Sequence, residues 1–443
     1  DAEEFIKGVD KHYSVEKDGK VIQTFTSGQL KDFFNKNNVS ISSNGVIYDL
    51  SKKGVIPAIL EKWFNERVEY RGLSKKYGKE GNEELSSYFN RRQHVQKILL
   101  NSLYGVLGLT VFRFYDIDNA EGTTTTGVKL IQFTEKVTNN YYNKILKDDK
   151  DYCIYTDTDS VFYSALPLVE KRYPDADVKD DKFMTEQILN IASEVQDYIN
   201  KSYVYFAKKF TNIEGEHRFD IKQEVIAKSA FWVTKKRYGQ WIINDGGLEC
   251  EKLDVKGLDI VRSSFPPSFR DFMTKVLKAI LAKVDKDKID QFILNFKKSL
   301  NEESIDNIAL PTGVKGLKKY TEKKTKGFTS KSMFTEMKKG APANVKASII
   351  YNDMLKFYNV NNHEPIRNSS KIRWVYLKPN PYKIDAIAFK GHDDPDEIMN
   401  FIKEYIDRDK IFNKALKKKI ELFYQSMKWD MPIDKKTSIE RFF

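Results

Sequence analysis

Cysteine is nearly absent from this chain of 443 residues: only Cys153 and Cys250 occur. Two cysteines cannot build a disulfide framework, and with five scattered histidines they leave no zinc-type ligand spacing. Long apolar runs are missing as well. No stretch approaches the roughly 20 uninterrupted apolar residues that a membrane span needs. The opening "DAEEFIKGVD" has neither the basic start nor the apolar run of a secretory signal. These absences predict a soluble protein of the cytoplasm with no membrane partner. No internal repeat is evident. The first residue is Asp rather than Met, which predicts processing or further sequence upstream.

Apolar residues make up 40% of the chain and aromatic residues 13%, enough at this length for two or three subdomains. The net charge is +12, and the excess is concentrated. Nine lysines fall between Lys315 and Lys339 against Glu322 and Glu336, interleaved with Gly, Thr, Ser, Tyr320 and Phe328. A basic run often marks only a solvated face, but this mix also suits a loop that follows a phosphate backbone.

"SSNGVIYDLSKKGVIP" predicts two short strands, with Asn44-Gly45 and Lys53-Gly54 as turn signals and Pro57 at a helix start. Ile59, Leu60, Trp63, Phe64 and Val68 recur at helical spacing over 58–76 and leave Arg67 and Arg71 one turn apart on another face. "YGKEGNEE" breaks the pattern, and a second helix runs over 85–104, closed by Gly105 and Gly108. A helix starting in the Thr-rich 123–126 stretch runs through Tyr142, and 185–210 is helical. Strands follow near "EVIAKSAFWV" and "RYGQWIIN". Beyond 263–268 the pattern turns mainly helical and Lys-rich, which predicts a boundary there.

Three constellations bear on chemistry. "YTDTDSVF" at 155–162 places Asp157 and Asp159 two positions apart between short strands. A calcium loop opening at Asp157 would need Gly at its sixth position and Glu at its twelfth, and Phe162 and Leu168 stand there. Carboxylates on a tight turn can instead approach a Mg²⁺ that is shared with substrate phosphates. Alone, this signal is weak, because Asp and Ser are ordinary turn residues. In "KILLNSLYG", Lys97, Asn101 and Tyr104 share one helix face; two antiparallel helices can unite Lys97 with Arg67 and Arg71 as a triphosphate clamp. In "FWVTKKRYGQWI", Lys235, Lys236 and Arg237 form a positive cluster bordered by aromatics on a strand. That cluster suits either a duplex backbone or the charged edge of a sheet.

Lys-x-x-x-Asn-Ser-x-Tyr-Gly at 97–105, Tyr-x-Asp-Thr-Asp-Ser at 155–160 and Lys-Lys-Arg-Tyr at 235–238, in that order, resemble the carboxy-terminal half of a family B DNA polymerase. The likeness covers nearly the whole chain, including "FNERVEYR", "KGLDIVRSSFP" and "VKASIIYNDML", and is nearest to the replicative polymerases of T-even-type tailed phages. It implies an α+β right-hand architecture: an antiparallel-sheet palm with an inserted helical fingers hairpin, and a mainly helical thumb. The implied domains are palm over 1–54 and 110–263, fingers over 55–109, and thumb over 264–443.

Carried over position by position, the resemblance implies that Asp159 binds two catalytic ions, Mg²⁺ or Mn²⁺ in its place, with Asp157 supporting it. Arg67, Arg71, Lys97 and Asn101 would hold the incoming deoxynucleoside triphosphate, and Tyr104 would pack beneath the nascent pair. Gly105, Lys235, Lys236, Arg237 and Tyr238 would contact primer-template DNA, and Lys323, Lys324 and Lys326 the product duplex. The ending "TSIERFF" places Ile439, Phe442 and Phe443 in the spacing of a sliding-clamp motif; a hydrophobic terminus can equally dock on its own domain.

A run of the form D-x-x-S-L-Y-P, which carries the family's other catalytic carboxylate, is absent. So is the exonuclease region. The expectation is therefore a partial or split polymerase, inactive by itself and completed by an amino-terminal portion. The alternative is a non-catalytic DNA- and clamp-binding module derived from one.

Overall fold

A computed structural model describes residues 2–17, 19–175, 177–323 and 334–432, and the chain divides into two units, Asp1–Glu224 and Val225–Phe443. The first opens with α1 (Ala2–Lys7), an antiparallel ribbon of β1 (His12–Lys17) and β2 (Lys20–Thr26), and α2 (Ser27–Lys36). Thr26 starts α2 with a capping box: its hydroxyl accepts the Gln29 N–H, and the Gln29 side chain accepts the Thr26 N–H. Next come β3 (Val39–Ile41) and β4 (Ile47–Asp49), which flank Gly45 at φ +95°. Tyr13, Leu30, Phe34, Val39 and Ile41 close a small core.

The predicted helical hairpin is α3 (Val55–Lys79) and α4 (Glu83–Leu107), antiparallel and packed on each other. Asn82 caps α4 through the Leu85 N–H. Gly105 lies within α4, and only Gly108 ends it, which corrects the expectation that both glycines close the helix. Neither helix fully buries any residue.

The long helix α5 (Ile117–Leu146) begins before the Thr-rich stretch, because Asp116 caps it by accepting the Asn119 N–H. The threonines sit inside the helix, where Thr123 and Thr125 return their hydroxyl protons to the carbonyls of Asn119 and Glu121. The β5 (Cys153–Asp157) and β6 (Ser160–Tyr163) hairpin follows, then α6 (Leu166–Arg172) and α7 (Asp181–Thr211). α7 packs on α5, with Val137, Ile199 and Tyr203 buried and the Thr134 and Tyr203 hydroxyls 2.7 Å apart.

The second unit starts as an antiparallel meander of β7 (Val225–Thr234), β8 (Arg237–Asp245) and β9 (Leu248–Lys256). After a single turn at Asp259–Val261 come α8 (Pro267–Leu281), α9 (Lys286–Ser299), α10 (Ile305–Ile308), β10 (Leu310–Gly313), α11 (Leu317–Tyr320), β11 (Thr321–Lys323) and β12 (Glu336–Met337). Then follow α12 (Ala343–Phe357), β13 (Lys371–Tyr376), β14 (Ala386–Phe389), α13 (Asp396–Tyr405), α14 (Arg408–Ile411), a π-helical turn and α15 (Lys418–Ser426).

A sheet ordered β10-β13-β14 joins these helices, which the helical reading of 264–443 did not anticipate. All four residues of β14 are buried, so it shows no alternation by which a sequence reveals a strand. The boundary expected at 263 falls inside one core: Phe231 and Leu258 bury together with Phe265, Phe269 and Phe272. The class is α+β, with small antiparallel sheets beside extensive helix.

Candidate functional site

The hairpin at 153–163 rests on α5. Tyr163 donates to the Glu135 carbonyl at 3.0 Å, and its ring meets Tyr142 at 5.4 Å. The approach to β5 is tied down by Asn139, whose Nδ2 donates to Asp151 at 2.8 Å and whose Oδ1 accepts the Tyr152 N–H at 2.9 Å. Tyr152 donates to Asp148 at 2.5 Å. That bond, then burial, raises the Tyr152 hydroxyl to about 12, and the same bond holds Asp148 below its ordinary range.

Pairing of Asp157 with Ser160 leaves Thr158 and Asp159 as a two-residue turn. Thr158 sits at φ +54°, where a β-branched side chain costs roughly 1–2 kcal/mol, and its hydroxyl donates to Asp157 Oδ1 at 3.0 Å. Asp157 is thus half-buried and engaged, whereas the Asp159 side chain is exposed and makes no hydrogen bond or ion pair among the described residues. Hard carboxylate oxygens fit Mg²⁺ in kind. They do not complete a site in number: among the described residues, no group of three or more His, Cys, Asp and Glu side chains could hold a metal. Among the described residues, β5 and β6 pair only with each other.

The helical hairpin is locked by a ladder of side chains. Ser74 and Ser86 exchange hydroxyl-to-carbonyl bonds at 3.0 Å, Tyr77 stacks on Phe89 at 5.6 Å, and Gln96 donates to Glu66 at 2.5 Å. The Gln96–Glu66 bond puts Lys97 at the axial level of the α3 turn that carries Arg67, with Arg71 one turn toward the tip. Burial first, then the Arg71 charge, holds the Arg67 guanidinium below its ordinary value, opposed by Glu224; its Nε is buried without a partner. Arg71, Lys97 and Asn101 are exposed and make no side-chain bond among the described residues, and Tyr104 is 38% exposed. A Cβ on Gly105 would meet no atom within 4 Å.

Lys235 and Lys236 form the two-residue turn between β7 and β8, with Lys236 at φ +61°, so they occupy a hairpin tip rather than the expected strand. Arg237 opens β8 and turns inward to Asp259 at 2.9 Å. Asp259 also takes Lys419 at 3.0 Å and Arg262 at 3.5 Å, so it gathers three cations. Local spacing offered only the i,i+3 pair with Arg262; Arg237 and Lys419 come from segments distant in sequence. Tyr238 is only 6% exposed and stacks on Trp232 at 6.1 Å.

The paired β11 and β12 lie within the Lys-rich run of 315–339. Lys324 and Lys326, like Ile439, Phe442 and Phe443, lie outside the described residues, as does the Lys323 side chain. Among the described residues, both cysteines are free and no helix is long and apolar enough to cross a membrane.

The model of DNA polymerase family B matches residues 15–424. The chain is 24% identical to the DNA-directed DNA polymerase of Enterobacteria phage T4, over 91% of this chain and 50% of that protein. It is 23% identical to that of Escherichia phage RB69, over 94% of this chain and 52% of the relative. A DNA polymerase of Paramecium bursaria Chlorella virus NY2A is 30% identical over 53% of this chain and 22% of its own length. The chain therefore spans about half the length of the two phage relatives.

Proposed function

The chain belongs to DNA polymerase family B, and from that premise we propose that it is the fingers, partial palm and thumb portion of a DNA-directed DNA polymerase of right-hand architecture. It would add nucleotides from deoxynucleoside triphosphates to a primer 3′ hydroxyl during viral genome replication in the host cytoplasm. The fingers would be 55–109, the palm 1–54 and 110–263, and the thumb 264–443, with the thumb helices sharing one core with the last palm strands.

The observation that carries this reading is the asymmetry of the Asp pair: Asp157 is engaged by Thr158 while Asp159 stands exposed at the strained tip. Asp159, seconded by Asp157, would hold part of the coordination of two Mg²⁺ ions. Bound there, the ions supply Lewis-acid stabilisation of charge on the transferred phosphoryl group. Half-buried Arg67, with Arg71 and Lys97, would neutralise the triphosphate, with Asn101 assisting. Tyr104 offers a half-open aromatic face for the nascent base pair. The Lys235–Lys236 tip would lie along the duplex backbone, with Arg237 as its internal anchor.

A further carboxylate beside the hairpin is required, since two ions must be bridged. The open edges of the β5–β6 pair and the exposed Leu109, Val111, Phe114 and Ile117 favour completion by a strand that carries it. We assign that strand, and the exonuclease, to an amino-terminal polymerase portion, and the Ile439, Phe442, Phe443 tail to a sliding clamp. A pure binding module has no use for an exposed Asp159 or for cations without partners on the fingers.

The test is primer extension with Mg²⁺ and four deoxynucleoside triphosphates, by this chain alone and with a polypeptide that carries the D-x-x-S-L-Y-P motif. Extension is expected only in the mixture and is lost with Asp159→Asn. Unchanged extension by Asp159→Asn would refute the assignment.

A further inference from the structure

α3 and α4 enclose a second feature that the triphosphate clamp does not use. Tyr70, Tyr88, Arg91, Arg92, Val95 and Gln96 line a hollow of about 320 Å³. Helical angles place Tyr88, Arg92 and Gln96 well away from the Lys97, Asn101 and Tyr104 face of α4.

The polar groups here are arranged unusually for a solvated helix face. Arg92 donates to the hydroxyls of Tyr88 and Tyr70, both at 3.0 Å, and its guanidinium lies 4.8 Å from the Tyr70 ring centroid and 5.8 Å from that of Tyr88. Arg91 donates to the Ser87 hydroxyl at 2.8 Å. Neither guanidinium meets a carboxylate among the described residues. The sequence explains why: the positions three and four away from each hold Ser87, Tyr88, Phe89, His94, Val95 and Gln96, none of them acidic. Both charges are therefore oriented by neutral partners and left uncompensated. Tyr88 and Val95 are 42% and 55% exposed, so aromatic and apolar surface faces the same opening.

Oriented guanidiniums beside the partly exposed ring of Tyr88, whose edge Phe89 supports at 5.1 Å, fit a ligand that alternates phosphates with planar rings. We propose that this hollow is a binding site for single-stranded nucleic acid, in which a base stacks on Tyr88 and successive phosphates pair with Arg91 and Arg92. A duplex does not fit, because its bases are already stacked and present no free faces. Naming the strand as template not yet copied rests on the polymerase reading; the binding itself does not.

The experiment titrates the full chain with a fluorescent dT12 strand, an abasic strand of equal length and a blunt duplex. Tyr88→Ala is expected to weaken dT12 binding roughly fivefold to a hundredfold, the range for one lost base stack, with duplex affinity unchanged. Arg91→Gln with Arg92→Gln is expected to lower the slope of log K against log salt by about 1.4, the equivalent of two phosphates. Arg91→Gln alone keeps the Arg92–Tyr70 contact and should give half that change. Equal affinity for the abasic strand and dT12, equal competition by a poly-glutamate peptide, or unchanged dT12 binding in correctly melting variants would each overturn the site. Binding of dT12 is read without Mg²⁺ or nucleotides, so a failed extension assay removes the template assignment while leaving the site standing.

Discussion

Ser74 and Ser86 each donate a hydroxyl proton to the other's main-chain carbonyl, both at 3.0 Å, and so pin α3 against α4 near the tip of their hairpin. With no fully buried residue in either helix, such pairs help set the register that brings Lys97 level with the turn carrying Arg67. Ser74→Ala with Ser86→Ala should cost about 2 kcal/mol, near 1 for each bond. In the completed enzyme it should raise KM for nucleotides more than it lowers kcat. Urea unfolding and steady-state kinetics check both, and a variant with unaltered KM would show that the register does not depend on these bonds.

Gly105 occupies a helix interior with open space where its Cβ would be. Nothing among the described residues explains a glycine that costs about 1 kcal/mol relative to alanine. Gly105→Ala should therefore raise the melting temperature while weakening primer-template binding, because the added methyl fills space the DNA would occupy. A stabilised variant with full DNA affinity would remove Gly105 from the interface.

Gly257 holds the base of the Lys235–Lys236 turn. At φ +66° it already sits in a region that disfavours side chains, and a Cβ there would lie 2.0 Å from the Lys236 carbonyl oxygen. Gly257→Ala should destabilise the chain by roughly 3 kcal/mol, combining backbone strain and overpacking. It should also lower duplex affinity as the tip is displaced. Calorimetry and a duplex titration on the folded fraction provide the comparison.

The Tyr152–Asp148 bond has a defined pH window. Asp148 is depressed by it, so its contribution is present above the ordinary carboxylate range and is lost as pH falls through the lowered folded value. Tyr152 is raised to about 12, so the contribution is complete below the ordinary tyrosine range and is lost as pH climbs through that value. The melting-temperature deficit of Tyr152→Phe should be flat from about pH 5 to 9 and shrink on both sides. A deficit that persists at either extreme would show that the ring, not the hydrogen bond, carries the effect.

The helical hairpin, the strand-turn-strand around Asp157 and Asp159, and the order of the three motifs were legible in the sequence. Each is a local pattern: apolar spacing of 3.6, short β-rich runs around turn residues, and fixed offsets along one helix face. The start of α5 was misjudged because the hydroxyls of Thr123 and Thr125 can serve a helix interior as well as a cap.

What only the tertiary structure decided are relationships between segments distant in sequence. Examples are the Lys97–Arg67 register, the inward turn of Arg237 to Asp259, the burial of Tyr238, and the dependence of the Lys236 turn on Gly257. Each depends on which surfaces meet after folding, and residue spacing within one segment carries no record of that. The same division explains the Asp pair: its place on a turn follows from local sequence. The engagement of Asp157 and the exposure of Asp159 follow from the strained backbone of Thr158 and the packing of the hairpin on α5.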